Sequence, residues 1–259
     1  MVLEYFIEGK KILSKMLWLI LFNILLSLLG LNEIVKILAF RGVHYGLKIT
    51  LPKSIPVLWD FVSLPTKVNV NLLPLPFSLI LGYIITVFSS FIIGGYLGVI
   101  LREAQGAGGE GFLDHSKRYF KEILCYNLLW YTLMVLLVVF AKITIPLLAI
   151  PLILLYFIIY YFIYATPFII VSQNLDFKGA LSLSIEVAKK REFLVYTLTY
   201  ALIVLFLSIP FTILVVNGKI VGIIVGLIAS SIPSLWLSAS TMLLVINIIK
   251  MKYQEAVIL

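Results

Sequence analysis

Residues 105–124 read QGAGGEGFLDHSKRYFKEIL, the most polar stretch of the chain, with long apolar runs on both sides. Its reading decides the fold. A phosphate-binding loop here would point to a soluble enzyme, and the wetted edge between two membrane helices would point to a polytopic membrane protein. A P-loop needs G-x-x-x-x-G-K-[ST] after a strand, with the lysine and hydroxyl placed for phosphate and magnesium. The run of Gly106, Gly108, Gly109 and Gly111 is followed by no such Lys-Ser/Thr pair. The glycines instead suit a flexible turn leading into a helix at the membrane surface.

Working outward, 62% of the 259 residues are apolar and 12% are charged, against roughly 45–50% and about 25% in soluble domains. The charges cluster between apolar runs of about 18 to 30 residues, long enough to cross a hydrocarbon core of roughly 30 Å. The sequence therefore predicts an all-α polytopic membrane protein with a single integral membrane domain over 1–259. Its six transmembrane helices fall near 12–31, 77–101, 123–141, 143–172, 193–216 and 220–249. The third and fourth, and the fifth and sixth, are close enough in sequence to form tight helical hairpins.

The formal charge is +8, but the basic residues lie beside apolar spans and not along an aromatic-lined polar groove. Membrane lipids with anionic headgroups are thus the expected partners, and nucleic acid is not. One cysteine, Cys125, and two histidines, His44 and His115, give no intrachain disulfide and no zinc site, and no cofactor is expected. Lys10, Lys11 and Lys15 precede an apolar run, as in a signal peptide. No small-x-small cleavage site follows, so the segment reads as an uncleaved first span. Thirteen of the 20 lysines and arginines fall on the side shared by both ends of the chain. The positive-inside rule then puts both termini in the cytoplasm, with the protein in the cell (inner) membrane.

Residues 32–76 are too charged and proline-rich to span. Val43, Tyr45, Leu47 and Ile49 alternate with His44, Gly46, Lys48 and Thr50, a period of two that suggests a strand. TKVNVNLLP, 66–74, repeats the pattern weakly. Trp59 and Phe61 lie between them near prolines, as in an interfacial segment. The expectation is a small outer cap over 32–76, with a β-hairpin as its simplest form. Basic amphipathic cytoplasmic helices at 5–15, 112–121 and 176–191 each lead into a pair of spans, which suggests three helix-plus-hairpin repeats.

Lys117, Arg118, Lys121, Lys189, Lys190 and Arg191 are the candidates for holding lipid headgroups. Asp114 with Arg118 and Glu186 with Lys190 are spaced for ion pairs one turn apart. Small residues recur every four positions: Thr86, Ser90, Gly94 and Gly98 in the second span, and Gly222, Gly226, Ser230, Ser234 and Ser238 in the sixth. Such ridges let helix backbones approach closely. The alternative is a polar pathway, with SSIPS at 230–234 breaking the sixth helix. Tyr156, Tyr160, Tyr161 and Tyr164 suit aromatic packing or a ligand groove. No span carries an ionisable residue near its middle, which counts against an ion-coupled pump. An enzyme acting on lipids would need His44 brought to Asp60, or His115 to Asp114.

The segment TPFIIVSQNLDFKGALSLSIEVAKKREFLVYTL, 166–198, has a Pro-Phe pair ending a span, a short polar turn, Ala180, Leu181 and Ser184 on a helix, then basic residues and a phenylalanine re-entering the membrane. It resembles the six-span membrane domain group that includes the membrane domain of glycerophosphoryl diester phosphodiesterases and related prokaryotic membrane proteins. GFLDHSKRYFKEIL resembles the earlier cytoplasmic helix of that group. In the phosphodiesterases hydrolysis belongs to a separate soluble barrel, for which this chain has no room. The resemblance therefore implies an embedded, lipid-facing module and no catalytic residue. The sequence points to a non-enzymatic, lipid-interacting multi-pass protein with a scaffolding, assembly or lipid-handling role, alone, as a homo-oligomer or beside a membrane partner subunit. The alternative is a permease or channel subunit for a small or lipidic solute.

Overall fold

In a computed structural model, residues 2–66, 75–106, 109–143 and 146–258 are described, and among them the chain forms helices and no strand. The helices are α1 (Val2–Leu13), α2 (Ile20–Leu28), α3 (Leu31–Ala39), α4 (Leu58–Phe61), α5 (Leu75–Gln105), α6 (Phe112–Ile143), α7 (Pro146–Ile163), α8 (Thr166–Gln173), α9 (Phe177–Ala188), α10 (Arg191–Thr212) and α11 (Gly218–Ile258). A 3-10 turn, Ser14–Leu19, joins α1 to α2, and a π turn, Ile213–Asn217, joins α10 to α11.

Among the described residues, five helical stretches are long and apolar enough to cross a membrane: Val2–Leu28, Phe77–Gln105, Phe112–Leu137, Leu154–Gln173 and Arg191–Lys252. The last is 62 residues, about 93 Å if straight, yet it doubles back. Lys219 takes φ 52° and ψ −128°, outside the helical region, and α11 returns beside α10. The hydroxyls of Tyr196 and Thr241 meet at 2.8 Å across the pair. Gly222 makes the turn possible, because a Cβ there would lie 2.0 Å from the Leu214 carbonyl oxygen.

Pro233 does not break α11, contrary to the expectation for SSIPS. The Ser231 hydroxyl donates to the Leu227 carbonyl at 2.6 Å, Ser234 to Ser230 at 2.7 Å and Ser238 to Ser234 at 3.1 Å. These back-bonds turn the serine hydroxyls onto the helix's own carbonyls and so satisfy them without a polar pathway. The fourth expected span, in contrast, is interrupted. α7 stops at Ile163, and α8 restarts with Pro167 in its first turn, where a missing backbone N–H is tolerated.

Three equal repeats are not visible. Nothing between Phe112 and Ile143 is glycine or proline, so the basic helix expected at 112–121 is simply the first turns of α6. α1 is not a surface helix either. Gly9 brings it against Ser240 of α11, and the Asn247 amide donates to the Tyr5 hydroxyl at 2.5 Å. Only α9 stands apart, capped by Asp176, which accepts from the Gly179 amide at 3.1 Å.

α5 and α6 pack closely because Gly94, Gly95 and Gly98 face Ser116, Phe112 and His115. A Cβ at Gly98 would lie 2.3 Å from the His115 ring. Gly98→Leu is accordingly expected to cost about 1–3 kcal/mol by overpacking, read as a lower thermal midpoint in detergent. An equivalent substitution at Gly106, where nothing lies within 4 Å, provides the control for position, although its φ of +64° adds strain of its own.

Candidate functional site: an inward-folded segment

After α3 the described part of the expected cap, up to residue 66, packs against the helices. Lys219 pins the end of α3, donating to the carbonyls of Ile37 at 3.0 Å and Phe40 at 2.5 Å. The chain then runs down α10. The His44 amide donates to Asn217 Oδ1 at 3.1 Å and the Lys48 amide to Ser208 Oγ at 3.0 Å. From His44 to Lys48 an extended chain advances about 13 Å, and from Asn217 back to Ser208 a helix covers about the same distance, so the two stay in register. Deeper still, the Tyr160 hydroxyl of α7 donates to the Pro52 carbonyl at 2.8 Å. The Lys53 backbone lies beside the Tyr200 hydroxyl of α10. The chain then comes back out, with the Ser63 amide donating to Thr212 Oγ1 at 2.9 Å.

The period of two expected over 43–50 is present in the exposure pattern, but no β-ladder accompanies it among the described residues. Val43, Tyr45, Leu47 and Ile49 point away from the bundle, 65%, 72%, 61% and 63% exposed. The intervening positions turn inward, with Gly46 closing on Ser63. Polar side chains of α10 take the place of a partner strand. The second half of the expected hairpin, 67–74, lies outside the described residues.

The segment carries charge to this depth. Lys53 Nζ sits 2.5 Å from Asp60 Oδ1, with the lysine side chain 45% and the aspartate 7% exposed. Asp60 Oδ2 accepts from the Val57 amide at 2.9 Å, so both carboxylate oxygens are engaged. The Lys48 ammonium donates to the Trp59 carbonyl. α4 is anchored on α2: the Trp59 indole N–H donates to the Ser27 carbonyl at 2.6 Å, the Leu58 amide to Ser27 Oγ at 3.0 Å, and the Asn23 amide group to the Pro56 carbonyl at 3.1 Å. Gly30 leaves room for the Trp59 ring. Tyr200 lies seven residues beyond Phe193, where the apolar run of α10 begins, about 10 Å along the helix. Sequence reasoning found no ionisable residue in the middle of a span. It missed that a loop lays Lys48, Lys53 and Asp60 against the helices.

The other candidates separate. Lys117, Arg118 and Lys121 on α6, and Lys189, Lys190 and Arg191 at the α9–α10 junction, are exposed at one end of the bundle. Arg118 does not pair with Asp114. It bonds both Glu110 oxygens at 3.2 Å and Asn174 Oδ1 at 3.0 Å, while Asp114 accepts from the Gly111 amide at 3.0 Å. The backbone turn at Gly111 places Glu110 nearer the guanidinium. Glu186 takes its ion partner from the tail, Lys252, whose hydrogen bond and charge hold the Glu186 carboxyl below its usual range. The Phe177 amide donates to Glu122 at 2.8 Å, tying α9 to α6.

Ser90 accepts from the Asn127 amide at 2.8 Å, and Thr86, Ser90, Gly94 and Gly98 lie on the side of α5 that meets α6. Gly222 and Gly226 face the π turn, and Ser230, Ser234 and Ser238 are buried. Tyr161 bonds the Ala188 carbonyl at 2.9 Å, and Tyr164 bonds Thr197 at 2.7 Å and stacks on Phe193 with ring centres 4.7 Å apart. Neither expected histidine–aspartate pair is assembled. Asp60 belongs to Lys53, and the carboxylate nearest His115 is Glu110, 3.4 Å from Nδ1. Compared with protein-family models, curated proteins and solved structures, the chain matches none of them.

Proposed function

We propose that this is a six-span, non-enzymatic protein of the cell membrane, with both termini cytoplasmic, that holds anionic lipid and serves a scaffolding, assembly or lipid-handling role. The observation that carries the reading is the exposed basic set at one end of the bundle. Lys117 and Lys121 on α6, with Lys189, Lys190 and Arg191 after α9, are exposed, and the Glu122–Phe177 and Arg118–Asn174 bonds join their supports. Cations at the edge of an apolar bundle meet phosphate headgroups and each contribute about 1 kcal/mol near an anionic surface. The six crossings follow from counting the doubled-back Arg191–Lys252 stretch as two.

Native mass spectrometry from a gentle detergent, with lipid identification, tests this. Wild type is expected to retain anionic lipid, and a variant with Lys117, Lys121, Lys189 and Arg191 all changed to alanine is expected to lose most of it. Equal retention by the two proteins would refute the headgroup role. The permease reading draws on a different observation, the charged segment folded against α7 and α10, and predicts solute flux in liposomes that Lys53 substitutions abolish.

A further inference from the structure

We propose that the inward-folded segment and the α6–α7 hairpin together form a site within the membrane for an anionic lipid, its headgroup at Lys53 and part of an acyl chain in the cavity between α6 and α7. That cavity is about 200 Å³ and is lined by Leu133, Leu137, Phe140, Leu155, Ile159 and Tyr156 among others. Among the described residues, Tyr156 is its one polar wall residue. Its ring stacks 6.3 Å from that of Tyr160, which holds the Pro52 carbonyl, and Lys53 lies within electrostatic reach of Tyr156. The apolar cavity is thus one tyrosine away from the segment that carries Lys53.

Charge selects the occupant. Lys48 and Lys53 bring two positive charges and Asp60 one negative, which leaves one surplus cation on the segment. Glu33, half-buried on α3, is the next carboxylate acting on both lysines and acts least among the charges on each. A buried surplus charge is costly, and a counter-ion relieves that cost. The Lys53 side chain keeps 45% of its surface open despite its pairing, so a headgroup oxygen reaches it without displacing Asp60. The open wall is apolar, which a free anion does not need and an acyl chain fills. The site is separate from the basic set on α6 and α9 and does not depend on that reading.

The test uses full-length protein in nanodiscs containing phosphatidylglycerol and phosphatidylcholine, with bound lipid counted by native mass spectrometry. Wild type is expected to retain one phosphatidylglycerol that the four-alanine cytoplasmic variant also retains. Lys53→Met with Asp60→Asn removes the ammonium without stranding a carboxylate. Leu155→Trp fills the cavity and leaves the charges intact, at a residue 51% exposed. Each is expected to weaken retention about tenfold. Wild-type retention in either variant would overturn the proposal, as would equal retention of phosphatidylcholine. Displacement by excess inorganic phosphate would assign the site to a free anion and overturn it too. Loss of this lipid in the cytoplasmic variant would place it at the basic face and do the same.

Discussion

Lys53→Met is expected to destabilise the protein by about 3–5 kcal/mol, and Asp60→Asn in the same chain to recover most of that loss. The reason is an asymmetry. Removing the ammonium alone leaves the Asp60 carboxylate, 7% exposed, without its ion-pair partner and with the Val57 amide still donating to it. The neutral pair of methionine and asparagine keeps that backbone bond and strands no charge. Thermal unfolding in detergent of the two single variants and the double variant forms the cycle that reads the coupling. Equal destabilisation by the single and double variants would mean that Lys53 contributes through its stem and not its charge.

Trp59→Ala is expected to cost about 3–5 kcal/mol, since a large side chain is lost from a packed site. Trp59 is 7% exposed and fills the space left by Gly30. Trp59→Phe separates the two contributions. It keeps most of the ring and removes the donor to the Ser27 carbonyl, 2.6 Å away, for an expected cost of about 1 kcal/mol, since that carbonyl keeps its bond from the Gly30 amide. In both variants the segment should come loose first, so hydrogen exchange over 43–63 should rise before exchange in α10 or α11 does. Exchange that rises uniformly would show that the segment and the bundle unfold as one unit.

The helices were largely legible because span length and apolar content follow from the thickness of a bilayer, whatever neighbour each helix meets. The small-residue positions were also legible, since Gly98 and Gly222 stand where backbone or ring approaches too closely for a Cβ. The path of residues 41–66 was not. Its alternation was legible as a period of two, but the period alone does not say which face turns outward. In a soluble strand the apolar face is buried, whereas here Tyr45 and Leu47 face outward and Lys48 turns in. The polar groups it needs, on Ser208, Thr212 and Asn217, lie more than a hundred residues away. Nothing local announces such partners. The ion pairs failed for a related reason: one-turn spacing on a helix identifies Lys190 for Glu186 and Arg118 for Asp114, but tertiary structure brings Lys252 and Glu110 within reach.

The central claim is that residues 43–63 fold into the bundle and turn an apolar edge to lipid. Site-directed spin labelling tests it most directly, with single cysteines placed through 43–50 in a Cys125→Ser background and the protein in nanodiscs. Power saturation then compares collisions with oxygen, which concentrates in lipid, and with a water-soluble nickel chelate. The account predicts high oxygen and low nickel accessibility at Tyr45, Leu47 and Ile49, and low accessibility to both at Gly46, Lys48 and Thr50. Nickel accessibility at Leu47 and Ile49 equal to that at Gln105, which is exposed at the end of α5, would place the segment in water as an outer cap and contradict the account.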